Sequence, residues 1–348
     1  MENMKRTFVI GDIHGCFEEF RQLLKLVRIQ PEDELVSVGD IVDRGPGSQA
    51  LYEFFRDRPH AKVLMGNHER KHARGVLSYS QEIVKVQMGD AYVEFVEWCK
   101  DLPYYHETPE AIIVHAFFEN GKELAKQKEE VLSGTTSGSK YLSKLYGEER
   151  YWQDHYSGAK PIIYGHHVVG DQPKIYNNTY GLDTGACHAG YLTAIELPSF
   201  TVHQVKVRKD HWASEMKKWQ LPVLKAKDWS GRRFARIEEE VDKMRYQKDP
   251  AVQQQLDSII DWVEQLKTLQ TIILSDITQK TQSLLAKYGQ DGFKSIANQY
   301  PYKNYLFTAR ANQLTIDNLE KILNTPDKTL DLAKALDIST PVTSSPKS

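Results

Sequence analysis

The sequence predicts an α/β fold, an α+β sandwich whose mixed sheets are flanked by helices, continued by a C-terminal α-helical extension. Three observations lead there. Over roughly the first 210 residues, short β-rich runs ending in Gly or Asp turns alternate with helical stretches, the pattern of a mixed sheet with covering helices. Beyond about residue 230 the apolar residues recur at helical spacing instead. The composition of the 348-residue chain, 40% hydrophobic and 26% charged, is in the ordinary globular range and excludes wholesale disorder or a fibrous repeat.

Taken in order, the first strand is Thr7–Ile10, cut off by Gly11-Asp12, and Phe17–Leu26 follows as a helix. Leu35–Val38 is the second strand, Ser48–Phe55 a helix, and Lys62–Met65 the third strand. Ala111–Val114, Pro161–Tyr164, Tyr191–Leu197 and Phe200–Val207 complete the β-rich runs. Between them Gly134–Ser139, Gly-Thr-Thr-Ser-Gly-Ser, has the composition of a flexible loop.

Residues 1–210 are therefore expected to form a catalytic domain, 211–233 a basic aromatic linker, 234–338 a helical extension and 339–348 a disordered Ser/Thr/Pro-rich tail. In the extension Leu256, Val263, Ile277 and Leu284 recur every seven residues, with Gln270 interrupting, and Ile259, Leu266 and Ile273 form a second seam. This predicts one long amphipathic helix or a helical hairpin. Its stripe packs either on neighbouring helices or against a second copy, as a homodimer through the C-terminal helices.

Charge and cysteine content narrow the function classes. Residues 1–210 hold 25 Lys+Arg and 30 Asp+Glu, leaving 20 and 17 for the remainder, so the net −2 conceals an acidic first part and a basic second. Nothing in that total announces nucleic acid or a membrane. No run approaches the ~18 apolar residues of a membrane helix, and no signal-peptide core opens the chain. Three separated cysteines, Cys16, Cys99 and Cys187, exclude a disulfide scaffold and a cysteine zinc cage, so a cytoplasmic location is expected.

The chemistry sits just after the strands. Gly11-Asp12-Ile13-His14-Gly15 follows the first, Gly39-Asp40-Ile41-Val42-Asp43-Arg44-Gly45 the second, and Gly66-Asn67-His68-Glu69 the third. His115 and His166-His167 follow the next two. Ligands gather at the carboxyl ends of strands in α/β sheets, so these groups can converge. Asp and His suit borderline divalent ions such as Mn, Fe, Zn or Co, and a carboxylate can bridge two of them. Two ions ~3.5–4 Å apart can activate a water and clamp phosphate oxygens for in-line attack at phosphorus.

The ordered set of motifs, over roughly residues 5–207, resembles the phosphoprotein phosphatase family of calcineurin-like metallophosphoesterases. The compact bacterial branch of small Ser/Thr/Tyr phosphatases and symmetrical diadenosine tetraphosphatases is the nearest in flavour. The resemblance implies two divalent ions, manganese foremost. Asp12 and His14 would hold the first, Asp40 would bridge, and Asn67, His115 and His166 would hold the second. His68 would act as general acid, oriented by Asp43, while Arg44 would clamp phosphate with Arg150 as a second clamp. Three departures stand out: the bulky Phe117 two residues past His115, His167 directly after His166, and the uncertain register of Arg150.

The leading expectation is a phosphomonoesterase acting on phosphorylated protein or a small phosphoester, favoured by Glu69 and by the intact Asp43-Arg44 pair. The alternatives are a diadenosine tetraphosphate hydrolase and a nucleic-acid end-processing phosphatase. The last draws on the stretch from Lys206 to Arg236, where basic residues interleave with Trp212, Trp219, Trp229 and Phe234. A docking role for those aromatics is favoured over nucleic-acid binding.

Overall fold

The computed structural model describes residues 6–147, 151–340, 342 and 346. The chain divides into two compact units, Met1–Trp219 and Gln220–Ser348. Ten strands build the first unit: β1 Thr7–Ile10, β2 Glu34–Ser37, β3 Ala61–Val63, β4 Tyr105–Glu107, β5 Ile112–Val114, β6 Ile162–Tyr164, β7 Lys174–Tyr176, β8 Thr179–Gly181, β9 Tyr191–Leu197 and β10 Thr201–Lys206.

They pair as two five-stranded sheets, ordered β10-β9-β1-β2-β3 and β4-β5-β6-β8-β7. In the first, β1, β2 and β3 run parallel and β9 joins antiparallel to β1. In the second, β5, β6 and β8 run parallel, with antiparallel strands at both edges. Each sheet is therefore mixed: the parallel strands occupy the middle of the second sheet and one side of the first, where β3 is the edge.

Side-chain alternation explains the sandwich. Successive residues of a strand face opposite sides, and here both sides are apolar. Val9, Val36, Ile113, Ile163 and Ile195, drawn from both sheets, form one buried cluster that the sheets share. Phe8 and Ile10 point the other way, into a cluster with Phe20, Leu51, Tyr52 and Phe95 from the covering helices. Ile162 and Tyr164 do the same for the second sheet, against Leu132, Leu142 and Trp152. The layers are helix, sheet, sheet, helix.

Two local expectations change. Gly134–Ser139 is not a loop throughout: a helix runs Thr136–Tyr146, begun by Thr135, whose side chain accepts from the Gly138 N–H at 3.1 Å. Glycine at 138 is what permits it, since a Cβ there would sit 2.0 Å from the Glu130 carbonyl oxygen. The expected linker is also structured. It forms helices His211–Lys218 and Gln220–Ala226, and the first belongs to the catalytic unit, where Glu215 is buried and accepts from Gln87 Nε2 and Trp219 Nε1.

The second unit centres on the helical stretch Pro250–Ala297, started by Asp249 and Pro250 and broken at Gly289 by a φ of 68°. Leu256, Ile259, Val263, Leu266, Ile273 and Ile277 are fully buried, in one cluster with Trp229, Phe234, Ile237, Leu306, Leu319 and Leu332. The heptad stripe is thus covered by helices of its own chain, as the first of the two packing alternatives requires. Gln270, the apparent interruption, is buried and donates to the Leu323 carbonyl at 2.7 Å and to Thr329 Oγ1 at 3.0 Å. Within the stretch expected as a disordered tail, Val342 is buried and the Pro346 carbonyl accepts from Gln255. No described helix is long and apolar enough to cross a membrane.

Candidate metal centre

The loops leaving β1, β2, β3, β5 and β6 carry the motif residues, and all leave from the carboxyl ends of parallel strands of the two sheets. Five of those residues take left-handed backbone conformations: His14, Asp40, Asp43, Arg44 and His166, with φ between 46° and 75°. Non-glycine residues hold such angles at a cost of ~1–3 kcal/mol each, and this clustering is typical of a functional site. Gly66 is needed for a different reason. A Cβ there would lie 2.1 Å from Asp40 Oδ1, so only glycine lets the third loop close onto the second.

Asp40 is the hub. Its Oδ2 lies 3.7 Å from His14 Nε2 and 3.9 Å from His68 Nε2, and its Oδ1 lies 3.6 Å from His115 Nε2. Two groups able to hold an ion share it: His14–Asp40–His68 and Asp40–His115–His166, each with its ligand atoms within 4.8 Å of one another. Asn67 joins the second, its Oδ1 lying 2.8 Å from His166 Nδ1 and 3.1 Å from His115 Nε2. Asp12 falls outside both groups; its carboxylate accepts the His166 backbone N–H at 3.0 and 3.1 Å.

The donor set fits divalent cations. Nδ1 of His14 faces the Val42 carbonyl at 3.0 Å and Nδ1 of His115 faces that of Val38 at 3.1 Å. A carbonyl can only accept, so each Nδ1 carries the proton and each Nε2 turns a lone pair toward Asp40. Burial lowers the pKa of both rings and holds them neutral. His166, half-buried and beside His115, is pushed down to about 2 by desolvation and by that neighbour. Burial raises Asp12 and Asp183, each further raised by Asp40, and Asp183 reaches about 6. Burial opposes the charge on Asp40 too, but His115, His68 and His14 around it hold its carboxyl below the usual range. Buried carboxylates and imidazole lone pairs that converge without intervening protons are the electrostatic need that cations answer.

Behind this cluster lies a hydrogen-bonded relay. His68 Nδ1 meets Asp43, which also accepts from Gln81 Nε2 and, at 3.0 Å, from His72 Nε2. His72 Nδ1 in turn meets the Tyr92 hydroxyl at 2.9 Å. On the cavity side, His68 Nε2 lies 3.2 Å from Arg44 Nη2. The Glu69 carboxylate accepts the N–H groups of Asp40 and Ile41 at 2.9 Å each and so fixes the second loop; burial, with Asp40 nearby, raises its pKa to about 8.

Nine of the ten residues singled out from sequence are thus brought to one place or to its hydrogen-bonded support. Arg150 lies outside the described residues. Sequence reasoning missed Gln81, His72 and Tyr92, which sit on helices and follow no strand. Phe117 does crowd the site: its ring is 5.3 Å from that of His166 and 5.6 Å from that of His167. Of the aromatics expected to dock on the catalytic domain, Trp212 packs against Tyr79 in the first unit, whereas Trp229 and Phe234 are buried in the core of the second unit itself.

Fold and site together define a metallophosphoesterase, and residues 5–189 match the family model described as calcineurin-like phosphoesterase. The chain belongs to that family. It is similar to the bis(5'-nucleosyl)-tetraphosphatase PrpE [asymmetrical] of Bacillus cereus (strain Q1), at 31% identity over 57% of this chain and 92% of the relative. Among solved structures it is similar to a candidate diadenosine tetraphosphatase, at 21% identity and a TM-score of 0.48, covering 59% of this chain and 95% of that one. A protein serine/threonine phosphatase from Saccharomyces cerevisiae aligns at 14% identity and a TM-score of 0.45, covering 59% and 81%.

Proposed function

We propose that this protein hydrolyses dinucleoside polyphosphates with the help of two divalent ions, manganese foremost and iron, zinc or cobalt as other occupants. The observation that carries the chemistry is the setting of His68: Asp43 grips its Nδ1, Arg44 stands beside its Nε2, and Asp40 lies 3.9 Å away. A proton donor, an anion clamp and a donor cluster thus open on one cavity. The PrpE relative supports the substrate class, because the alignment spans nearly its whole length.

In this reading Asp12 and His14 would hold one ion, Asn67, His115 and His166 would hold the other, and Asp40 would be the ligand common to both. When bound, the ions supply an acidified water and positive charge beside the phosphoryl oxygens. Arg44 orients the phosphate through its planar fork. His68 protonates the leaving oxygen, and Asp43 keeps the ring in the tautomer and direction that this needs.

The intact Asp43–His68 pair also favours a second reading, a phosphomonoesterase acting on phosphorylated Ser, Thr or Tyr. A panel on the purified protein with manganese separates the two: diadenosine tetraphosphate, phosphopeptides, p-nitrophenyl phosphate and phosphorylated oligonucleotides. Diadenosine tetraphosphate is expected to have the highest kcat/KM. A phosphopeptide exceeding it tenfold would replace the first reading by the second.

A further inference from the structure

A hollow of 610 Å³ opens directly from the metal centre, with Asn67 and His166 in its wall. One side of it is the helix Asn67–Ala73 and its end, which present Arg70, Lys71 and Arg74. The other side is the start of the helix Thr136–Tyr146, with the hydroxyls of Thr135, Thr136 and Ser137. No carboxylate is among the described residues that line it.

Four features make this an anion site extending away from the reacting atoms. Arg70 is only 9% exposed; its Nη2 lies 3.4 Å from Glu130 Oε1, but its Nε has no hydrogen-bond partner among the described residues, so one buried guanidinium donor is left over beside that ion pair. Lys71 and Arg74 form no ion pair with any described carboxylate. The opposite wall is the N-terminal end of an 11-residue helix, whose first N–H groups lack intrahelical acceptors and carry the positive end of its dipole. Finally, the wall is seated on the metal centre itself: Gly134 has a φ of 68°, and a Cβ there would be 2.7 Å from His166 Cε1.

The length of the row indicates the anion. Arg44 already serves the phosphate beside His68, so three further cations exceed what one phosphate needs. Arg70 and Arg74 are one helical turn apart, about 6 Å along the axis, and the row therefore suits a chain of phosphates. Beyond it a second hollow of 550 Å³ shares Phe117, Ser139 and His167 with the first and adds Tyr151, Trp152 and Tyr164. Aromatic faces of this kind suit a nucleobase.

We infer that the Arg70–Lys71–Arg74 groove holds the phosphates of the substrate that are not being cleaved, and that it leads to an aromatic hollow for the attached nucleoside. The inference rests on the dinucleoside polyphosphate reading. Its test is the double variant Lys71→Ala/Arg74→Ala, since both side chains are at least partly exposed and their loss leaves the core untouched. Its kcat/KM for diadenosine tetraphosphate should fall at least tenfold relative to that for p-nitrophenyl phosphate, which offers only the reacting phosphate. The double variant Lys100→Ala/Lys126→Ala, at two exposed lysines paired with Glu97 and Glu123, matches the change in net charge and should change neither. Should the wild type not cleave diadenosine tetraphosphate, the reading of function fails, yet the groove is still tested by that compound as an inhibitor of p-nitrophenyl phosphate hydrolysis. A Ki at least tenfold weaker in the double variant supports the groove. A change below twofold overturns it, and so does a loss confined to phosphopeptides, which would assign the row to an acidic peptide.

Discussion

Replacing Asp43 by Asn should disarm the proton donor while the metal centre survives. Asp43 is fully buried, and its carboxylate accepts from His68, from Gln81 and, at 3.0 Å, from His72. Burial alone would raise its pKa; His72 and His68 hold it well below the usual carboxylate range. An asparagine keeps one acceptor oxygen and turns an NH₂ group toward a donor, leaving at least one buried polar group unsatisfied at about 1–3 kcal/mol. At about 2–4 °C per kcal/mol for a unit of this size, Tm should fall by about 2–12 °C. With His68 no longer gripped, turnover of an alkyl phosphate ester should drop by ~10²–10⁴, the range general acid catalysis supplies. p-Nitrophenyl phosphate, whose leaving group hardly needs a proton, should lose far less. Steady-state kinetics on both esters, metal content and a thermal melt measure all of this on one preparation. Alkyl-ester turnover within threefold of wild type, or equal losses on the two esters, would refute the role given to the Asp43–His68 pair.

Asp40→Asn weakens the donor shared by both groups, and elemental analysis should show metal falling from about two per chain toward one or none, with activity abolished; full manganese-dependent turnover would contradict it. Gly66→Ala forces a Cβ against Asp40 and the backbone that carries it, so metal content and turnover should fall together, whereas Gly231→Ala, with open space around that position, should spare both. Cutting the chain after Trp219 should leave kcat on a small ester within a few-fold, but cutting at 210 should destabilise the product. The shorter cut removes buried Glu215 and strips Glu19 of His211, which lies 3.0 Å away, a difference readable by thermal melt. Gln270→Leu removes the two hydrogen bonds its amide donates inside the helical unit, to the Leu323 carbonyl and to Thr329 Oγ1, and should lower its stability by about 1–3 kcal/mol, measured by denaturant titration.

The site was legible wherever chemistry follows a strand directly. Asp12, Asp40, Asn67, His115 and His166 each stand within four residues of a strand end, so finding the strands located the donors. The helix Phe17–Leu26 and the strands Thr7–Ile10 and Tyr191–Leu197 match the reading from sequence residue for residue, because each is a clean apolar pattern bounded by turn residues. Strands β4, β7 and β8 were missed; each has three residues, too few for a period of two to register. His72, Gln81 and Tyr92 support His68 from positions whose spacing says nothing about it, since only tertiary packing brings them to Asp43. Gly134–Ser139 was misread for a related reason: Gly-rich composition points to mobility, whereas a Thr cap and tight packing at Gly138 start a helix there. Gln270 shows the converse, a polar residue that looked like a flaw in an apolar stripe and serves as an internal clasp.

The two groups of donors have different origins: His14 and Asp40 leave one sheet, and His115 and His166 leave the other. A half-built chain with a single sheet in place therefore has no complete set for the second ion. Ions held by these donors would load at the end of biogenesis, after the sheets have closed on each other, and would then act as rivets across that seam. Any ion that binds only the closed form adds RT ln(1 + [ion]/Kd) to its stability. Growth medium poor in the right metal would accordingly show up as shortened protein lifetime as well as lost turnover.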